Sequence, residues 1–150
     1  MSSTLALDLA TVTGWAVESC GVVTSGSISF RGGRYEGDGM RYLRFRRWLR
    51  ETIETEKPGA VFYEEVRRHL GTQAAHVYGG LLATMQIECE AREIPYLGIP
   101  VGTIKKKATG RGNARKAAMI AAARDRWPDQ HIADDNQADA LWILECGRAA

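Results

Sequence analysis

Thr4–Val17 reads Thr-Leu-Ala-Leu-Asp-Leu-Ala-Thr-Val-Thr-Gly-Trp-Ala-Val, and the rest of the chain is organised around it. Leu5, Ala6 and Leu7 suit a buried central strand, and Asp8 interrupts that run with a charge. A lone carboxylate in an apolar strand is costly to bury unless something pairs with it. A metal ion is the usual partner where other carboxylates converge on the same point. On this stretch alone a turn or capping role for Asp8 is the alternative. Gly14 and the threonines turn the chain, and Trp15-Ala16-Val17 reads as a second strand returning beside the first.

Working outward, Val22–Phe30 alternates Val23, Ser25, Ser27 and Ser29 against Val22, Gly26, Ile28 and Phe30, the pattern of a third strand after the turn at Cys20-Gly21. Three short strands in succession predict an antiparallel meander. From Asp38 to Glu56 the apolar positions Tyr42, Phe45, Trp48 or Leu49, and Ile53 step by three and four, which predicts a helix whose other face is largely arginine. Lys57-Pro58-Gly59 stops it. Ala60–Tyr63 reads as a short buried strand that ends in Glu64 and Glu65.

A polar loop, Arg67–Thr72, leads to a long predicted helix from Gln73 to Arg92 with Tyr78, Leu82, Met85 and Cys89 on one side. Ala75, Gly79 and Ala83 form a small-residue stripe on it, suited either to a close crossing within the chain or to a dimer contact. Ile94–Ile99 reads as a fifth strand, Val101–Lys107 as a helical turn, and Thr109–Gly112 as a break. Asn113 is placed to cap a helix that runs to Arg126 or Trp127, before Pro128. Asp134 with Gln137 three residues later forms a capping-box pattern for a last helix reaching Cys146, with Leu141, Ile143 and Leu144 inward.

The 150 residues suit one domain, 1–150, with a substantial core. The net charge of +2 is unremarkable, but the positive charge is clustered. One group is Arg31, Arg34, Arg41, Arg44, Arg46, Arg47 and Arg50; a second is Arg67 and Arg68; a third is Lys105, Lys106, Lys107, Arg111, Arg115 and Lys116. Clusters of this kind on a near-neutral chain point to a polyanion on one face. Three cysteines without CxxC spacing predict free thiols and a cytoplasmic setting. No signal peptide is expected from the N-terminal residues. The uncharged stretch Gly71–Ile87 is too short and too polar to span a bilayer, so no membrane association is expected.

Acidic candidates lie at three separated places: Asp8, Glu64 (or Glu65), and the group Asp135, Asn136 and Asp139. On a helix Asp135 and Asp139, and likewise Asn136 and Asp139, share a face. A cluster of hard oxygen ligands without histidine or cysteine suits Mg2+ or Mn2+. Two such ions about 3.5–4 Å apart activate a water and stabilise the leaving oxygen of a phosphodiester.

Four motifs in order carry a resemblance across most of the chain: Leu-Asp8-Leu-Ala-Thr-Val-Thr-Gly-Trp, Val-Phe-Tyr-Glu64-Glu-Val, Lys105-Lys-Lys-Ala-Thr-Gly-Arg-Gly-Asn-Ala-Arg-Lys116, and Asp135-Asn-Gln-Ala-Asp139-Ala-Leu. Together they resemble the RuvC-type Holliday junction resolvases, in particular the small phage-encoded branch, within the ribonuclease H-like superfamily. The resemblance implies an α/β fold with a five-stranded mixed sheet, its first three strands antiparallel, flanked by helices. It implies a homodimer with two Mg2+-dependent sites, Mn2+ substituting, that resolves four-way DNA junctions by symmetric nicking. The expected setting is the cytoplasm of a bacterial or phage-infected host cell.

Carried over by position, the resemblance makes Asp8, Glu64, Asp139 and either Asp135 or Asn136 the metal ligands. Lys105 and Lys116 would bear on the scissile phosphate. Asn136 departs from the family's pattern, since it stands where a second last-helix ligand is expected and brings no charge. Arg67 departs as well, standing where the cellular enzymes carry an aromatic residue that stacks on unpaired bases. Arg41, Arg44, Arg47, Arg67, Arg68, Lys106, Lys107, Arg111 and Arg115 are the candidate DNA contacts, through phosphates. His69 and His76 have little claim to catalysis, and His131 at most an outer role near the last helix. The alternatives are a nuclease of the same fold for flaps, Y-forks or RNA–DNA hybrids, and a non-catalytic junction-binding protein.

Overall fold

The alternation of side chains along the first strand sets the architecture. In the computed structural model, which describes residues 2–150, β1 (Ser3–Asp8) sends Leu5 and Leu7 to one face of the sheet and Ala6 to the other. β2 (Val12–Ser19) pairs with it antiparallel, Asp8 opposite Gly14, and β3 (Val22–Ser29) pairs antiparallel with β2. Cys20 and Gly21 form the two-residue turn between β2 and β3, both with positive φ (52° and 80°), as a tight hairpin requires. β4 (Pro58–Glu65) lies parallel to β1 on its other side, and β5 (Tyr96–Pro100) parallel to β4. The order is β3-β2-β1-β4-β5, the expected mixed sheet with its first three strands antiparallel.

Helices cover both faces. α1 (Gly39–Glu56) and α2 (Thr72–Ala91) bury Phe45, Leu49, Val77, Leu81 and Met85 against the Leu5/Leu7 face. α3 (Val101–Thr109), α4 (Lys116–Arg126) and α5 (Asp135–Arg148) cover the Ala6 face, with Leu141, Ile143, Leu144 and the edge-on pair Trp127–Trp142 at its centre. No helix among the described residues is long and apolar enough to cross a membrane.

The small residues on the second face admit α5 unusually closely. A Cβ on Gly14 would lie 1.8 Å from the Asn136 carbonyl oxygen, and one on Gly147 would lie 2.4 Å from carbons of the Phe62 ring. Gly14→Ala is therefore expected to push α5 off the sheet and to cost at least about 3 kcal/mol, measured by denaturant unfolding.

Several boundaries differ from the sequence reading. β4 is twice the predicted length, because Pro58 and Gly59 join the strand at its start and Glu64 and Glu65 at its end. β5 starts at Tyr96 rather than Ile94, whose N–H instead closes the end of α2 on the Cys89 carbonyl. Val101–Thr109 is a full helix ended by Gly110 in the left-handed region (φ 81°), so the glycine there is a cap. Asn113 does not cap α4: Arg115 occupies that position without a side-chain cap bond. Asp134 does cap α5, accepting from the Gln137 N–H at 2.8 Å, but Gln137 reaches back to the Ala133 N–H at 2.9 Å rather than to Asp134 itself.

The arginine face of α1 is largely occupied by the protein. Arg44 pairs with Glu36 at 2.5 Å, Arg41 donates to the Phe30 carbonyl, and Arg46 and Arg50 pair with Glu88 of α2 at 2.9 and 3.1 Å. The small-residue stripe of α2 also differs from a simple crossing within the chain. Tyr42 of α1 packs on Gly80, while Gly79 and Ala83 are exposed, and an added Cβ on Gly79 would meet nothing.

Candidate metal centre

Parity along two parallel strands brings the first acids together. Asp8 follows Leu7 at the end of β1 and shares the face of Ala6. Glu64 shares the face of Phe62 near the end of β4. Both point to the side covered by α5, whose first turn and a half carries Asp135 and Asp139. Ligand oxygens of Asp8, Glu64 and Asp139 lie within 4.8 Å of one another. Glu65 points away, with Arg67 3.6 Å from it.

Burial and mutual repulsion act on this trio. The Asp8 carboxyl is raised well above the ordinary aspartate range, first by burial, then by the charges of Glu64, Asp139 and Asp135. Burial also raises Glu64, opposed by its hydrogen bond with Asp8 and by Lys105. Asp139 is pushed up to about 7 by burial and by Glu64 and Asp135, against the pull of Lys105 and Lys116. A buried anionic cluster with so little internal compensation, built only of hard oxygens, fits a divalent cation such as Mg2+ or Mn2+.

The cleft in front of the trio has a volume of about 540 Å3 and is walled by Glu64, Lys105, Lys116, Asp135 and Asp139. Lys105, one turn into α3, is the lysine of its run that faces the acids; Lys106 and Lys107 are exposed elsewhere on the helix. Lys116, the first residue of α4, holds its ammonium 3.6 Å from Asp135. The two candidates for a fourth ligand therefore separate. Asp135 shares the cleft with Glu64 and Asp139, whereas Asn136 borders a recess on the other side of Asp8.

A polar clamp fixes the start of α5, and only part of it was legible in the sequence. Ser27 Oγ donates to Asp134 Oδ2 at 2.7 Å, Ser25 Oγ donates to Gln130 at 2.6 Å, and the buried Gln137 amide donates to Ser25 Oγ and to the His131 carbonyl, each at 3.0 Å. The serine alternation of β3 was the available signal: it is the polar face turned toward α5. Asp134→Ala removes a cap and its strand tether. It is expected to cost about 1–2 kcal/mol in denaturant unfolding.

Of the remaining candidates, Arg47, Arg68, Lys106, Lys107, Arg111 and Arg115 are exposed and make no ion pair among the described residues. His76 is exposed, its carbonyl accepting from Tyr42. His131 is exposed, with only its carbonyl engaged near α5. His69 lies against Tyr78.

No family model and no curated protein sequence matches the chain. Solved structures do. RuvC of Thermus thermophilus in complex with a Holliday junction substrate superposes with a TM-score of 0.74 over 95% of this chain and 90% of that one, at 18% identity. The fold is that of the RuvC resolvases. A second structure of Thermus thermophilus RuvC gives 0.73 at 20% identity, covering 94% of this chain and 90% of that one. The yeast mitochondrial Holliday junction resolvase Ydc2 gives 0.63 at 13% identity, covering 95% of this chain and 75% of that one. The RuvC fold accounts for the sheet order and for the meeting of β1, β4 and α5 at one edge. The chemistry of that edge rests on this chain's own residues.

Proposed function

We propose that this chain is a divalent-metal-dependent endonuclease that resolves four-way DNA junctions, acting as one RuvC-like domain in a homodimer. The observation that carries the reading is the convergence of Asp8, Glu64 and Asp139 within 4.8 Å at the mouth of a lysine-walled cleft. The neighbouring RuvC structure in complex with a Holliday junction supplies the substrate class.

Asp8, Glu64, Asp139 and Asp135 would hold Mg2+ or Mn2+, two ions per site, with Asp135 rather than Asn136 as the fourth ligand. Bound there, the ions would supply an activated water and stabilise the leaving oxygen of a phosphodiester. Lys105 and Lys116 place positive charge on the open side of the cleft, where the phosphate must lie, and offset its charge as it builds. Lys116 also orients Asp135. Arg47, Arg67, Arg68, Lys106, Lys107, Arg111 and Arg115 are exposed and suit phosphates of the junction arms, with Arg41 and Arg44 held near the same edge by Phe30 and Glu36. The outward stripe Gly79, Ala83 and Ile87 on α2, the last 65% exposed, is the face we assign to the partner protomer.

Asp135→Ala and Asn136→Ala, assayed separately for junction cleavage across a Mg2+ titration, test the ligand assignment. Loss with the first and retention with the second is expected; the reverse assigns the ligand to Asn136.

A further inference from the structure

On the face of the sheet away from the acids, α1 leaves a groove of about 280 Å3 against β2, with walls that include Trp15, Val17, Trp48, Glu51, Thr52 and Glu56. Trp15 and Val17 pair with Leu7 and Leu5 of β1, and the Glu56 carbonyl accepts from Ser3 Oγ. The groove therefore lies beside the first part of the strand that Asp8 ends.

Both indoles are held in place. Gly26 stands opposite Trp15 on the edge strand β3, and a Cβ there would come 2.9 Å from the ring, so the glycine lets the indole lie over the strand. Trp48 packs on Phe30 and Phe45, with ring centroids 5.9 and 6.1 Å apart. Each indole is half-buried, and neither indole N–H bonds another described residue. Neither Glu51 nor Glu56 pairs with a cation among the described residues. The last turn of α1, which forms this wall, carries no basic residue, although the end of a helix favours positive charge.

Two free carboxylates repel a phosphate, and a neutral apolar group would leave them without a counter-charge. A guanidinium meets both features of the groove. Its plane stacks on an indole, and its N–H fork donates to carboxylates. The groove runs open along the surface, so the group can enter on an extended chain, whose carbonyls would meet the free indole N–H groups.

We infer that the groove seats an arginine side chain of a partner protein, its guanidinium against Trp15 and Trp48 and its charge met by Glu51 and Glu56. This adds a protein-docking face, turned away from the metal cleft, and does not depend on the nuclease reading.

The test titrates the 15N-labelled full chain with the blocked peptide acetyl-Gly-Thr-Arg-Thr-Gly-amide and with its citrulline counterpart, which keeps the shape and loses the charge. Trp15→Phe and Trp48→Phe assign two of the four indole N–H signals. These two are expected to shift saturably with a dissociation constant on the order of 1 mM, and at least about tenfold more weakly with citrulline. Glu51→Gln combined with Glu56→Gln is expected to weaken the arginine peptide to the citrulline level, with the Trp127 and Trp142 signals unmoved and junction cleavage unchanged. Equal binding of the two peptides, fixed Trp15 and Trp48 signals, or a shift caused by short duplex DNA instead overturns the inference. A shift with protein concentration alone assigns the groove to a second copy of the chain and overturns it as well.

Discussion

Asp139→Asn is expected to abolish junction cleavage, by at least about a thousandfold, while junction binding persists. The same change should stabilise the metal-free protein. Asp139 titrates near 7 in the fold instead of 3.8, so the folded state holds a proton that the unfolded state has already released. That contribution to stability is fully present below the unfolded value and is lost as pH rises through about 7. At pH 8 without metal the natural chain therefore carries a penalty on the order of 3–4 kcal/mol at this group, which the asparagine removes. Added Mg2+ should reverse the order, raising the melting temperature of the natural chain and leaving that of Asp139→Asn nearly unchanged. Thermal unfolding at pH 5 and pH 8, with and without Mg2+, reads both effects. Equal stability of the two proteins at pH 8 in EDTA would contradict the electrostatic account of the trio.

The second large effect lies away from the cleft. Glu88 of α2 is 3% exposed and receives Arg46 and Arg50 from α1 and Arg92 from its own helix. Burial alone would raise its carboxyl, but hydrogen bonds from the three guanidinium groups outweigh it and hold the group below the usual glutamate range. Glu88→Gln leaves three converging cations, 28–44% exposed, without a counter-charge and is expected to cost about 1.5–3 kcal/mol in urea unfolding. Because the folded value is depressed, the stabilisation is present above the unfolded value and is lost as pH falls through the folded one. The gap between natural chain and variant should hold near neutrality and close in acid, below about pH 4. A gap under about 1 kcal/mol at pH 7 would show that the arginines rehydrate without penalty. The clamp also bears on the site, since α2 carries the Tyr78 hydroxyl that holds the end of β4 beside Glu64.

The sequence disclosed the sheet and the acids because both are written locally. Strand alternation and the tight turn at Cys20-Gly21 announce the meander, and carboxylates at the ends of apolar strands announce a site. The pairings of Arg46 and Arg50 with Glu88 were hidden, because they join residues 42 and 38 positions apart and any arginine on an amphipathic helix reads as solvated. Which of Asp135 and Asn136 lines the cleft was hidden for a different reason. Neighbours on a helix point about 100° apart, and which one meets the cleft depends on how α5 is rotated. Gly14 and the Ser25–Gln137 clamp set that rotation through contacts across more than 100 residues of chain. The helix cap at Asp134 was legible, since it spans only three residues.

Incubation of an end-labelled four-way junction with the protein in Mg2+, beside the matched linear duplex and an EDTA control, tests the central claim most directly. Paired nicks at symmetric positions near the branch point, absent from the duplex and from EDTA, are the expected result. A junction that stays intact in both Mg2+ and Mn2+, or cutting that persists in EDTA, would contradict it.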